Sequence, residues 1–197
     1  MKSDIYNLTI SQNDFHSIPA EAEKTAKYNE LDKKSALRLR LIAEEMICML
    51  PQLLSYGSGK FWIESSGRSY ELHLSVTPKD TLDVDTEKVL SVSTSGKNAA
   101  AKGIIGKICT AVETMLNTSA KLAREDPYAF PMAGMYDYAG SMAWSLTTYR
   151  KELDSVPTKG SSEEWDELER SIIANIADEV IVGIRGGKID IVIKKEF

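Results

Sequence analysis

Phe61-Trp62-Ile63-Glu64-Ser65-Ser66-Gly67-Arg68-Ser69-Tyr70-Glu71-Leu72-His73-Leu74-Ser75-Val76 decides the fold. Two runs rich in β-branched and aromatic residues flank Ser65-Ser66-Gly67-Arg68, a stretch of turn-forming residues. The second run alternates strictly between apolar and polar side chains. Alternation with a period of two puts one face of a strand on a core and the other toward water, and a glycine-containing turn lets the two strands pair as a hairpin. Thr77-Pro78-Lys79-Asp80 then breaks the strand, because proline removes a ladder donor.

Upstream the periodicity changes. Asp32 is placed to cap a helix in which Leu37, Leu41, Glu44 or Glu45, Cys48 and Leu53 recur every three to four residues, until Pro51 disturbs it and Gly57 and Gly59 end it. Pro19 opens an earlier helix over Ala20 to Tyr28, rich in Ala, Glu and Lys, and Ile5 to Ile10 reads as a short opening strand. Downstream, Leu82 to Leu90 reads as a further strand, and Ala99 to Leu116 and Met132 to Tyr149 as helices. Lys151 to Ser162 reads as loop, with Ser162 capping a last helix that runs through Ile172, Ile173 and Ile176 and ends near Asp178. Glu179 to Ile184 and Lys188 to Ile193 alternate around Arg185-Gly186-Gly187, which predicts a closing hairpin.

This order of elements predicts an α/β (α+β) two-layer sandwich, a mixed and mostly antiparallel sheet with helices on one face. The chain of 197 residues is long enough to bury a core without disulfides or metals, so residues 1–197 are read as a single domain with a divergent central helical region over about residues 95–160. Apolar residues at 43% and charged residues at 27% are an ordinary globular composition. A net charge of -5 argues against a nucleic-acid partner. Cys48 and Cys109 are far apart and each stands in an apolar run, which suits reduced thiols. With neither an apolar leader core nor a stretch of ~20 apolar residues, the expectation is a cytoplasmic chain that does not engage a membrane.

Leu41-Ile42-Ala43-Glu44-Glu45-Met46-Ile47-Cys48-Met49, followed by a hairpin, resembles the first conserved helix of histidine-kinase-like (GHKL) ATPase domains, especially bacterial anti-sigma-factor kinases. Ser171 to Val180, leading into Arg185-Gly186-Gly187-Lys188-Ile189 and Lys194-Lys195, looks like that family's last helix and closing hairpin. Together these segments cover about half the chain. The resemblance implies ATP held with Mg, and a catalytic glutamate followed four residues later by a metal-binding asparagine. Here Glu45 is followed by Met49, and Glu44 by Cys48. Neither methionine nor neutral cysteine suits magnesium, which takes oxygen ligands. Where the family places an Asp and spaced glycines to hold adenine, this chain has Thr77-Pro78-Lys79-Asp80, so Asp80 stands without the glycines. Before the last helix the expected glycine-rich loop is Pro157-Thr158-Lys159-Gly160-Ser161-Ser162, with one glycine.

Ser93 to Lys107 places Gly96, Lys97, Asn98, Lys102, Gly103, Gly106 and Lys107 around a helix start, where free N–H groups and the helix dipole favour an anion. It does not match the P-loop spacing. It reads either as a capped helix with a solvated lysine face or as a cofactor phosphate or acidic-partner site. Glu45 is the candidate general base, since adjacent glutamates on a helix point about 100° apart and only one can face a substrate. His16 and His73 have no Cys or His beside them at metal-ligand spacing, so no metal site is predicted. No serine has hydrolase context. Tyr128, Phe130, Met135, Tyr136 and Tyr138 concentrate aromatics and methionines around and after Pro127 and Pro131, and form the candidate partner-binding cluster.

The expected function is therefore a regulatory or protein-binding module on a histidine-kinase-like scaffold, engaging a protein partner, without normal ATP hydrolysis and without a resident cofactor. The alternative is a divergent ATP-binding protein or Ser/Thr kinase of anti-sigma-factor type, using ATP and Mg. A third reading is a homodimer formed at a sheet edge through the terminal hairpin.

Overall fold

The computed structural model describes residues 1–9, 15, 17–53, 57–78, 104–112, 114–115, 143–155, 161–185 and 188–197. The hairpin forms as the alternation requires: β2 (Gly57–Ser66) pairs antiparallel with β3 (Ser69–Pro78), with Phe61 opposite Leu74 and Ile63 opposite Leu72. Phe61, Ile63, Tyr70, Leu72, Leu74 and Val76 are buried on one face. Trp62 and His73, half-buried, share the other. Gly67 turns the corner at φ +58, and nothing lies within 4 Å of where its Cβ would be. The backbone, not crowding, therefore calls for glycine here. Gly57 and Gly59, expected to stop the preceding helix, instead begin β2 on its buried face.

The described strands form one sheet in the order β1-β2-β3-β6-β5-β4, where β1 is Tyr6–Leu8, β4 Trp144–Ser145, β5 Glu179–Arg185 and β6 Lys188–Glu196. Every strand pair in it is antiparallel, so the mixed sheet expected from the sequence has no parallel pair among the described residues. The closing hairpin forms as predicted, but it is internal: β6 lies between β3 and β5, and β5 is flanked by β4. Its strands are thus not the sheet edge that a homodimer through this hairpin needs; among the described residues β1 and β4 are the outer strands.

The N-terminal segment contains a one-residue slip. Lys2 bridges Glu64, whereas Tyr6 stands opposite Phe61, so the register shifts by one between them. One extra residue in an edge strand flips every later side chain to the other face. The slip turns Tyr6 and Leu8 toward the buried side, where the Tyr6 hydroxyl donates to Glu21 Oε2 at 2.6 Å.

The helices among the described residues are α1 (Ser17–Tyr28), α2 (Lys33–Leu53), α3 (residues 104–112), α4 (Leu146–Ser155), α5 (Ser161–Arg170) and α6 (Ile172–Ile176). They lie on the face of the sheet that carries Phe61 and Leu72, and share one hydrophobic core with it. α1 packs on α2, α2 on α6, and α4 on α5 and β5. Asp32 caps α2 as expected: Oδ1 accepts from the Lys34 and Ser35 amides at 2.9 and 3.1 Å, and Oδ2 from the Ser35 hydroxyl at 2.6 Å. The two Ser35 bonds hold the Asp32 carboxyl below its usual range.

The stripe of α2 that faces the core is not the one read from the sequence. Leu39, Ile42, Ala43, Met46, Met49, Leu50 and Leu53 are buried. Leu37 is 56% exposed and Cys48 is exposed. α2 carries apolar side chains on two opposite faces, and a helical period fits both.

The later elements also differ from expectation. Trp144–Ser145 is a strand inside what reads as a helix from Met132 to Tyr149, because Ser145 ends that strand by capping α4. Its Oγ accepts from the Thr148 amide at 3.1 Å. Lys151–Ser155, expected as loop, completes α4, and α5 begins at Ser161 rather than being capped by Ser162. The predicted last helix breaks at Ser171, which is extended (φ -76, ψ 124) and accepts from the Ala174 amide at 3.2 Å, so α6 is a separate turn ending at Ile176. The predicted strand over Leu82 to Leu90 lies outside the described residues.

Candidate functional site

α2 places Glu44 and Glu45 on different paths, as their angular separation requires. Glu44 accepts from Arg40 Nε at 2.7 Å, and the same guanidinium pairs with Glu23, clamping α2 to α1. Glu45 is half-buried and has no ion-pair partner among the described residues. Burial, and then the charge of Glu44, raise its carboxyl above the usual range. Such a shift moves a carboxyl toward general-base duty. Cys48 lies one turn further along; partial burial of the thiol and then the Glu45 carboxylate raise it above its usual range. Among the described residues no group of three His, Cys, Asp or Glu is placed to hold a metal ion.

Of the candidate anion segment, Gly106 and Lys107 are described; Gly96, Lys97, Asn98, Lys102 and Gly103 lie outside the described residues, as does Asp80. Gly106 and Lys107 do not converge. Gly106 is buried in α3, whereas Lys107 is half-buried and lines a cavity of about 560 Å³ between residues 107–115 and α4. Its ammonium sits 5.6 Å above the centre of the Tyr149 ring. Trp144 forms a second aromatic wall, its ring centre 6.0 Å from that of Tyr149 and tilted by 38°. Thr110, Thr148 and Glu152, all exposed, also line the cavity. In the sequence Trp144 stands only as one position of the helix read over Met132 to Tyr149. The usable signal is Ser145, a helix-capping hydroxyl directly after an aromatic and four residues before another. Tyr128, Phe130, Met135, Tyr136 and Tyr138 lie outside the described residues, as does His16.

The open face of the sheet is decorated and internally neutralised. Trp62 and His73 stack across β2 and β3, ring centres 4.8 Å apart and planes within 3°. Trp62 Nε1 donates to Glu64 Oε1 at 2.8 Å, and Lys2 Nζ donates to the same oxygen at 3.0 Å while lying 4.6 Å over the indole. Those two donors, Lys2 first, hold the Glu64 carboxyl below its ordinary range. Lys194 pairs with Glu71 at 3.0 Å. The other Glu71 oxygen lies 3.3 Å from His73 Nε2, short of a good hydrogen bond, and burial holds the imidazole below its usual range. Lys2 with Glu64 and Lys194 with Glu71 are thus paired on this face. Comparison of the chain with protein-family models, curated proteins and solved structures finds no match.

Proposed function

We propose that this chain is a regulatory protein-binding module on a histidine-kinase-like ATPase scaffold, acting in the cytoplasm, and that it takes an acidic amphipathic segment of a partner along the outer face of α2. The observation that carries the reading is the second apolar row of that helix. Leu37, Leu41 and Cys48 recur one turn apart or two, opposite the buried row, with Leu37 56% exposed and Leu41 half-buried. Scattered exposed leucines need no explanation, but a row along one helix face suits a helix-in-groove or helix-on-helix contact. Lys33, Lys34 and Arg38 are exposed around Leu37. Their charge, on an otherwise acidic chain, favours a partner segment with acidic flanks.

Support for the scaffold comes from order: a long helix running into a hairpin, helices on one face, and a short helix leading into a closing hairpin. Support for a module without normal hydrolysis comes from Glu45, which has Met49 rather than an oxygen ligand four residues on. The raised Glu45 carboxyl favours the second reading, a divergent ATP-binding protein or Ser/Thr kinase of anti-sigma-factor type.

Two measurements separate these readings. Calorimetric titration with ATP and ADP, with and without Mg, is expected to give no saturable heat; Mg-dependent saturation would transfer the assignment to the kinase reading. A photo-crosslinker at position 37 is expected to capture one defined partner, and Leu37→Glu to abolish its binding while thermal stability stays within the usual surface range of about 0.5 kcal/mol. If Leu37→Glu leaves the affinity of the captured protein unchanged, the outer face of α2 is not the docking surface.

A further inference from the structure

We propose that the open face of the sheet docks a second copy of this chain, packed face to face about a two-fold axis along the cross-strand row Trp62, His73, Val192 and Ile181. These four residues stand opposite one another on β2, β3, β6 and β5, on the face turned away from the described helices. A sheet face left to water places polar residues there. At this row, however, Ile191-Val192-Ile193 and Val180-Ile181-Val182 are apolar on both faces, the pattern of strands covered on both sides. The faces of the Trp62 indole are taken by His73 and Lys2, which leaves its edge for a partner.

Charge selects the occupant. On one side of the row the register places Glu64, Glu71, Lys194 and Glu179, and on the other Lys60, Ser75, Asp190 and Gly183. A two-fold along the row lays each side of one copy on the other side of its partner. Lys60 then meets the partner's Glu64, and Asp190 the partner's Lys194, each pair occurring twice. Glu71 and Glu179 meet serine and glycine, so no like charges oppose. A two-fold along the strands instead sets Glu64 against the partner's Glu179. Lys60 and Asp190 have no ion-pair partner among the described residues, so both have a pair still to make. Four strands ~4.8 Å apart and three rows ~6.8 Å apart give a patch on the order of 400 Å² per copy, about half a standard interface, which makes the dimer weak and reversible. Because α2 lies on the opposite side of the sheet, a partner docked there does not compete with this contact.

The test is sedimentation equilibrium of the full chain, which is expected to show monomer and dimer exchanging with a dissociation constant on the order of 10–100 µM. Lys60→Glu and, in a separate preparation, Glu64→Lys set like charges against each other twice, and each is expected to weaken self-association at least about tenfold with unfolding temperature retained. Mixing the two variants is expected to restore a dimer containing one of each, since both contacts then join opposite charges again. Asp190→Lys mixed with Lys194→Asp repeats the exchange on β6, should either β2 variant fail to fold. A chain that stays monomeric to about 1 mM leaves the face to a different protein and overturns the proposal. A dimer indifferent to Lys60→Glu, or folded variants that stay monomeric when mixed, would overturn it as well.

Discussion

Phe61→Ala is expected to lower the unfolding free energy by about 3–5 kcal/mol, whereas Trp62→Ala, one residue on, costs roughly half that or less. The difference follows from the pleat. Phe61 is 1% exposed, stands opposite Tyr6 and Leu74 and projects into the core beneath the helices. Its removal leaves a cavity that neighbouring strands cannot collapse to fill. Trp62 faces the open side, where truncation forfeits the stack on His73 and the bond to Glu64 but leaves water to occupy the space. Urea denaturation with an unchanged slope gives both numbers. Equal costs would place both faces of the sheet in the core and refute the two-layer architecture.

Tyr6→Phe is expected to destabilise the chain by about 1–3 kcal/mol, a large effect for one oxygen. Glu21 is 3% exposed, and its Oε2 accepts from the Tyr6 hydroxyl at 2.6 Å and from Lys24 Nζ at 3.3 Å. Without the phenol, a buried carboxylate keeps only a cation that is itself mostly in water. The pH dependence gives a second, independent reading. Burial, and then the bond to Glu21, push the Tyr6 phenol up to about 12 from 10. The fold therefore favours the protonated phenol. That contribution is complete below pH 10 and is withdrawn as pH rises from 10 through 12. Stability measured across this window should fall more steeply for the parent than for Tyr6→Phe. Parallel curves would mean that the phenol does not sense Glu21.

Much of the architecture is written in local patterns, and the points where it is not are instructive. The hairpin around Gly67, the Asp32 cap and the closing hairpin each depend on residues within a few positions of one another, and each forms as read. The facing of α2 does not. Leu37, Leu41 and Cys48 keep helical time as well as Leu39, Met46 and Met49 do, and only the sheet beneath decides which row is covered. Helix breaks were hidden for a related reason: Ser145 and Ser171 each interrupt an apolar run by capping, a choice the period cannot register.

The candidate sites divide in the same way. Glu45 is legible because a single helix defines its setting. The pairing of Lys107 with Trp144 and Tyr149 is not, because the three meet only when α3 is laid against α4. Lys107 and Gly106 are adjacent, yet adjacent residues on a helix part ways, and the ring beside Lys107 belongs to Tyr149, on a different helix.

The strand order carries one more consequence, for assembly in time. β3 gains its second partner only from β6, so Leu72 waits for Ile193, and nearly all of the intervening chain must be made before that ladder can close. Until then β3 offers a full row of free amide and carbonyl groups beside an apolar face. Contacts this distant in sequence form slowly, and an unpaired inner strand is a template for any similar strand nearby, including that of another nascent copy. The vulnerable moment of this protein is therefore its synthesis rather than its native life, and the last hairpin acts as the closing seam.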